Sequence, residues 1–244
     1  GSLKVISSGT VELLRGANDI DIYAAVLADD ASLVIVDADG ITFGEVSTAN
    51  TANLAPVSGL EGAGAFVTLV TESATISQNA ESPVKAEELK IISGGDVTLL
   101  DPANDITFLA AEINNGASIA YSDANAFIVT TIGESSGIPA KSGLLLSGGT
   151  GSASLTTWDG NIIVEADITT AAPGDILLET DGQARDLVIA AAVSSGSGHI
   201  TLRATGFVAF GAGGSVSTSP AENIEIDSDG QLPADLSIDV TGQF

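Results

Sequence analysis

Cysteine and methionine are absent from this 244-residue sequence, and aromatic residues make up only 4% of it. Without cysteine no disulfide bond can staple the chain, which excludes a disulfide scaffold but is compatible with an exported bacterial protein. With so few rings, any core must be built from Val, Ile, Leu and Ala. Because the β-branched members of that set favour strands, the composition indicates an all-β protein.

Basic residues are also scarce: seven Lys and Arg stand against 32 Asp and Glu, a formal net charge of -25. Such a charge repels phosphate backbones, so we expect no nucleic-acid partner. The longest apolar runs, such as Leu187 to Val193, fall far short of the roughly 20 residues of a membrane helix, so we expect no membrane insertion. The surplus of acids keeps the chain soluble, and it would also attract divalent cations.

Short apolar runs separated by Gly-rich turns fill the sequence, and no helical period is visible. The runs recur about every 8 to 13 residues, as in folds made of many short strands. In Ile20–Tyr23 and Ile224–Asp227 the alternation has a period of two, which is typical of strands with one solvated face. Alternation alone fits a β-solenoid and a β-sandwich equally well.

An internal repeat distinguishes these two folds. Residues 3–46 align without a gap on residues 89–132 at an offset of 86 residues, and eighteen of the 44 aligned positions are identical. A solenoid stacks like upon like, so a repeat that preserves register favours a right-handed parallel β-helix; a sandwich or split barrel is the alternative. We predict one β-solenoid domain over residues 1–244, with diffuse coils at 143–244, and expect it to be a fragment of a longer chain.

The repeated segments share a Leu-Lys strand ending in Ile-Ser, then Ala-Asn-Asp-Ile, then Asp-Ala followed by Asp or Asn. This pattern resembles the repeats of filamentous-haemagglutinin-like and other giant β-strand-repeat adhesins of Gram-negative bacteria. The resemblance covers residues 3–132 well and the rest diffusely. It implies an extracellular location on the bacterial cell surface and a role as a filament or shaft. The expected partners are other segments of the same chain, identical subunits, or a surface glycan or protein.

Calcium is the one cofactor that the sequence suggests, and Asp37 and Asp39 are its candidate ligands. Asp37 to Gly40 resembles the start of a calcium loop, but Thr48 stands where an EF-hand needs a bidentate Glu. The second copy has Asn125 in place of Asp39, which favours a turn. With one His and no Cys, we expect no transition-metal site.

No catalytic residue is predicted. Carboxylate pairs with a spacing of two, such as Glu165 with Asp167 and Glu225 with Asp227, suit glycosidase chemistry, but they arise freely on the polar face of an acidic β-protein. His199, the only histidine, lacks a nucleophile motif. A polysaccharide-active enzyme therefore remains the second alternative to a structural or adhesive role.

A binding module is the first alternative. Trp158, next to an Asp-Gly turn, is the candidate ligand-binding residue because an exposed ring suits stacking on a sugar. Two stretches rich in Gly, Ser, Asn, Thr and Pro, at 47–61 and 134–142, are predicted to project as long loops. The other aromatic residues lie within strand-like runs, so we expect most of them in the core.

Overall fold

A computed structural model describes residues 1–15, 18–47, 55–171, 173–218 and 223–228 and shows a β-solenoid of about nine turns. In the described residues there is no helix, and thus none that could span a membrane. The first fourteen strands are β1 Ser2–Ser7, β2 Val11–Leu13, β3 Ile22–Leu27, β4 Ser32–Val36, β5 Ile41–Phe43, β6 Glu45–Val46, β7 Val57–Ser58, β8 Leu60–Thr71, β9 Ile76–Gln78, β10 Val84–Ser93, β11 Val97–Leu99, β12 Asp105–Ile113, β13 Ile119–Asp123 and β14 Phe127–Val129. The others are β15 Thr131–Ile132, β16 Lys141–Ser142, β17 Leu144–Leu146, β18 Ala153–Thr157, β19 Ile162–Val164, β20 Ile168–Thr170, β21 Ile176–Thr180, β22 Leu187–Ile189, β23 Ala192–Ser195, β24 Ile200–Ala204, β25 Val208–Phe210, β26 Ser215–Thr218 and β27 Ile224–Ser228.

The strands stack in parallel on three faces of the solenoid. Face A contains β2, β4, the second halves of β8, β10 and β12, and then β17, β20, β23 and β26. Face B contains β5, β9, β11, β13, β18, β21, β24 and β27. Face C begins with β1, β3 and the first halves of β8, β10 and β12, and it continues through β14, β19, β22 and β25. The expected all-β parallel solenoid is confirmed.

The core is a set of aliphatic columns that run along the axis. On face B one inward column keeps the same register through eight turns: Ile41, Ile76, Val97, Ile119, Ala153, Ile176, Ile200 and Ile224. Most of its members are at most 2% exposed, and only Ile224, in the last described strand, is half-buried. Side chains that alternate along each strand thus meet their counterparts one turn away, which gives the aliphatic core that the composition requires.

Three stacked glycines show why turns between faces A and B contain this residue. A Cβ on Gly174 would lie 2.1 Å from the backbone O of Gly151, and a Cβ on Gly198 would lie 2.2 Å from the backbone O of Gly174. Only a residue without a side chain allows adjacent turns to approach so closely. The backbone spacing of the solenoid therefore determines the sequence at this corner.

The two repeat copies have the same internal pairing. Val11 pairs with Leu33 and Val97 pairs with Ile119, so β2–β4 and β11–β13 match at the 86-residue offset. The same holds for β1–β3 with β10–β12 and for β5–β9 with β14–β19. Copy one begins on face C with β1, whereas copy two begins on face A with the second half of β10. Three full turns plus one face separate them, so the copies are rotated by one face about the axis.

Each copy ends in a short antiparallel hairpin, and here the predicted loop boundaries need correction. Hairpin 1 pairs β6 with β7, and hairpin 2 pairs β15 with β16. The predicted loop at 47–61 ends earlier, because β7 and the start of β8 occupy 57–61; residues 48–54 lie outside the described part of the chain. The predicted loop at 134–142 ends in β16, since Lys141 and Ser142 pair back onto Ile132 and Thr131.

Two neighbouring leucines on β17 provide a matched test of the stacking. Leu144 is 1% exposed and Leu145 is 43% exposed. We expect Leu144→Ala to lower the free energy of unfolding by about 2 to 5 kcal/mol, because it leaves a cavity in a core column. Leu145→Ala, the control, is expected to change it by less than about 1 kcal/mol. Urea denaturation measures both, and equal losses would contradict the assigned orientation of β17.

Candidate functional site

The exposed ring of Trp158 forms a small cleft at the corner between faces B and C. Trp158 directly follows β18, and it is 53% exposed, as the Asp-Gly turn predicts. Thr156, Thr157, Glu179 and Asp181 complete the cleft, which has a volume of about 240 Å³. The Thr157 hydroxyl is buried and donates to the Gly160 carbonyl, so the cleft combines one open indole ring with the Thr156 hydroxyl and two carboxyl side chains.

Neighbouring turns hold the charged side of this cleft in place. In register, Thr156 pairs with Glu179, Glu179 with Arg203, and Arg203 with Asp227. The Arg203 guanidinium donates to Glu179 Oε1 at 2.9 Å and lies 3.6 Å from Asp227 Oδ2. The hydrogen bond to Glu179 raises the pKa of Arg203. Glu179 is thus a fixed carboxylate on the outer surface of face B.

The turn after Trp158 is also anchored. Arg185 donates from both Nε and Nη2 to Asp159 Oδ1, at 2.9 and 2.7 Å. One turn along, Asp181 Oδ1 accepts the backbone N–H of Gly182 at 2.7 Å. These contacts orient the backbone on either side of the indole and give the cleft a defined shape.

The predicted calcium ligands Asp37 and Asp39 lie in a turn, and their carboxylates have different environments. Asp37 is fully buried: Tyr23 donates its hydroxyl to Asp37 Oδ2 at 2.5 Å, and the Asp39 N–H donates to Asp37 Oδ1 at 3.1 Å. Desolvation and the bond to Asp37 raise the pKa of Tyr23. Asp39 is exposed. In the described part of the chain no cluster of three or more His, Cys, Asp or Glu side chains could hold a metal ion.

The second copy repeats this turn with Asp123. Its side chain is fully buried and accepts hydrogen bonds from the Tyr121 hydroxyl, the Ile106 N–H and the Asn125 N–H. Burial raises the pKa of Asp123 to about 6, because desolvation outweighs the three hydrogen bonds that favour the charged carboxylate. The Asp-Ala motif common to both copies is therefore a buried turn acceptor.

This raised pKa predicts a dependence of stability on pH. An unfolded Asp titrates near 3.8, so between about pH 4 and pH 6 the folded chain binds more protons at Asp123 than the unfolded chain does. The contribution of this group to the free energy of unfolding therefore falls as pH rises through this window and is constant above it. We expect the Asp123 carboxyl carbon to titrate near pH 6 by NMR.

Asp123→Asn is the matched comparison for this prediction. Urea midpoints of the wild type and of Asp123→Asn are measured at pH 4.5 and pH 6.5. The comparison separates the contribution of Asp123 titration to stability from the general repulsion among the other carboxylates. We expect the wild type to lose more stability over this interval than the variant does. An equal loss in both proteins would show that Asp123 has an ordinary pKa.

Hairpin 2 lies across the outer surface of face A, where a buried lysine holds it. Lys90 is fully buried, and its Nζ donates to the carbonyls of Gly133 at 2.7 Å and Ile138 at 3.3 Å. The Thr68 and Ser135 hydroxyls bond at 2.8 Å, and the Ser136 hydroxyl donates to Glu12. Desolvation lowers the pKa of Lys90, opposed by the nearby acids Glu88 and Glu134.

The first copy shows the same contact. Lys4, at the position equivalent to Lys90, donates its Nζ to the carbonyl of Ala55 in hairpin 1. Sequence reasoning missed this role, although a lysine conserved between the two copies, in a chain with only seven basic residues, was a usable signal. The stretches that the sequence suggested as free binding loops are thus anchored to the solenoid at these residues.

Two lysines provide a test of this anchoring. Lys90→Met is expected to lower the free energy of unfolding by roughly 1 to 3 kcal/mol, because two hairpin carbonyls lose their donor. Amide hydrogen exchange in residues 133–140 should accelerate about tenfold. Lys85→Met is the control: Lys85 forms a partly exposed ion pair with Glu61, worth less than about 1 kcal/mol. Unchanged exchange in Lys90→Met would rule out the anchoring role.

The other candidate carboxylate pairs and His199 lie in different parts of the solenoid. Glu165 and Asp167 are exposed in the turn between β19 and β20, so they do not share a strand face as their spacing suggested. Glu225 and Asp227 do share the outer face of β27, where Asp227 lies beside Arg203. His199 is exposed, and its backbone N–H donates to Asp175.

Comparison with known proteins gives no match: no protein-family model, curated protein or solved structure is similar to this chain. The argument for function therefore rests on the fold and on the residues described above.

Proposed function

We propose that this chain is a structural shaft or adhesive segment of an extracellular protein on the surface or in a filament of a bacterium. The observation that carries the proposal is the unbroken column from Ile41 to Ile224, in which each turn repeats the register of the one before. Backbone hydrogen bonds between turns run along the axis, so the whole ladder opposes extension. Length and stiffness are the properties that this arrangement provides.

The surface charge supports the same role. Thirty-two acidic residues on a chain that buries its aliphatic side chains keep a long β-protein soluble and oppose sideways pairing between shafts. The giant β-strand-repeat adhesins, which this sequence resembles, provide the extracellular bacterial setting. A catalytic role is not part of the proposal, and a polysaccharide-active enzyme is its alternative.

The partners that we propose are further turns of the same chain or identical subunits, stacked end to end. At the first turn the inward side chains of Leu3, Val5 and Val11 are only half-buried. Their counterparts one turn later, Tyr23, Ala25 and Leu33, are at most 2% exposed. Among the described residues β1 pairs with β3 on one edge and with no strand on the other, which leaves that edge available for another strand. Both features favour continuation of the stack at this end.

A binding module is the second candidate, and the Trp158 cleft is the observation that favours it. The cleft lies outside the stacked columns, so a ligand there would not disturb the ladder. A surface glycan or protein is the expected partner.

Surface labelling of the source cells tests the location and the shaft role. We expect antibodies raised against the folded chain to label intact cells, because an extracellular shaft is accessible without permeabilisation. Immunogold electron microscopy should place the label away from the membrane. An antibody against a cytoplasmic protein is the control for intact envelopes. Labelling that requires permeabilised cells would overturn the proposal.

A further inference from the structure

Trp158 and Phe207 are the two strongly exposed aromatic residues in the described part of the chain, and of these two Trp158 lines the cleft. Tyr23, Phe43, Tyr121 and Phe127 are at most 2% exposed and fill the core, whereas Trp158 is 53% exposed. It is the only tryptophan in the chain. An exposed indole leaves a large apolar surface in water, which is unfavourable unless a ligand covers it. The solenoid ladder does not need an indole at this position, since Trp158 lies in a turn.

The cleft beside this ring matches one sugar unit in size and chemistry. Its volume of about 240 Å³ is below the roughly 300 to 1,000 Å³ of pockets for drug-sized molecules. A pyranose ring has an apolar C–H face and a polar hydroxyl rim. The indole offers the matching apolar face, while the Glu179 and Asp181 carboxylates and the Thr156 hydroxyl offer acceptors for hydroxyl groups at its edge.

Charge decides which sugars fit. The cleft is lined by the carboxylates of Glu179 and Asp181 on a chain with a net charge of -25. Arg203 pairs with Glu179, so Asp181 and the overall charge of the chain set the sign of the surface. A uronic or sialic acid, or a sulfated sugar, would add a like charge to this surface and be repelled. A neutral pyranose avoids that repulsion, and a protonated amino sugar would be attracted by both the carboxylates and the indole face.

We propose that the Trp158 cleft is a binding subsite for a pyranose unit of a neutral or amino-bearing glycan. Trp158 stacks on the sugar ring, and the Asp181 and Glu179 carboxylates accept hydrogen bonds from its hydroxyl groups. Arg203 and Arg185 are positioning residues: one holds Glu179 and the other holds the turn through Asp159. The inference deepens the binding-module candidate and does not depend on the shaft role, which surface labelling tests separately.

Fluorescence titration tests the subsite directly, because emission excited at the red edge of the tryptophan band reports on Trp158 alone. The probes are cellopentaose, the pentamer of N-acetylglucosamine, the pentamer of glucosamine and the pentamer of galacturonic acid. We expect saturable emission changes with at least one of the first three, with a dissociation constant on the order of 1 mM, as suits one shallow subsite. Galacturonic acid pentamer should bind at least about tenfold more weakly.

Variants identify the residues, and isothermal calorimetry replaces fluorescence where the indole is lost. Trp158→Ala should abolish binding, and Asp181→Asn should weaken it about tenfold, because the charged acceptor is lost. Phe207→Ala is the matched control: Phe207 is 50% exposed but does not line the cleft, so its loss should leave binding unchanged. Thermal melts of each variant confirm that the fold is kept.

Three results would overturn the proposal: no saturable change with any neutral or amino sugar, equal binding by Trp158→Ala, or preference for the acidic pentamer. Saturation by a lysine-rich peptide with no response to any sugar would also overturn it, because the cleft would then be a peptide site. None of these results would alter the outcome of surface labelling.

Discussion

Parallel stacking in register is the constraint on which the rest of the structure depends. The backbone hydrogen bonds between turns hold each residue beside its register partner one turn later, so each inward column must hold apolar side chains. A charged residue in a column such as Ile41 to Ile224 would be buried without a partner, at a large cost. Rings are rare in the core: Tyr121 and Phe127 pack edge-to-face with centroids 5.4 Å apart. In the later turns the fully buried apolar side chains are aliphatic, and Phe210 is only partly buried against them.

The corners between faces require polar side chains. The chain leaves the hydrogen-bonded ladder there, so its backbone carbonyls need other donors. Buried hydroxyls at strand ends provide them: Thr157 donates to Gly160, Thr170 to Gly174 and Thr180 to Arg185. Asn104 serves the same purpose in the second copy by donating to Leu99 and Ser122, as Asn18 does to Leu13 and Val36 in the first. Among the described residues only the Ser122 hydroxyl is buried without a hydrogen-bond partner. Polar residues inside this solenoid are thus mainly part of its turns.

Sequence periodicity predicted the columns and turns well because stacking makes each turn resemble the next. The copies at 3–46 and 89–132 could be aligned for that reason, and Ala103 and Asn104 lie between β11 and β12. The same periodicity could not predict that the hairpins pack on the outer surface of the solenoid. Alternation shows which side chains point outward, but Val34 and Lys90 point outward from face A and are still fully buried. Their burial comes from a segment more than forty residues later in the chain, and a local pattern does not contain that information. The right-handed sense of the β-helix likewise stays a prediction.

The rotation of the second copy about the axis places the two hairpins on different faces of the solenoid. Because copy two begins one face further around the axis than copy one, hairpin 1 is anchored to face C through Lys4 and hairpin 2 to face A through Lys90. Each hairpin therefore contacts a different face of the solenoid, and the two do not form one shared binding surface. Trp158 lies outside both copies, in the turn between β18 and β19. A side chain in a turn changes without disturbing the columns, so a repetitive shaft can acquire a single specific site there while its ladder stays intact.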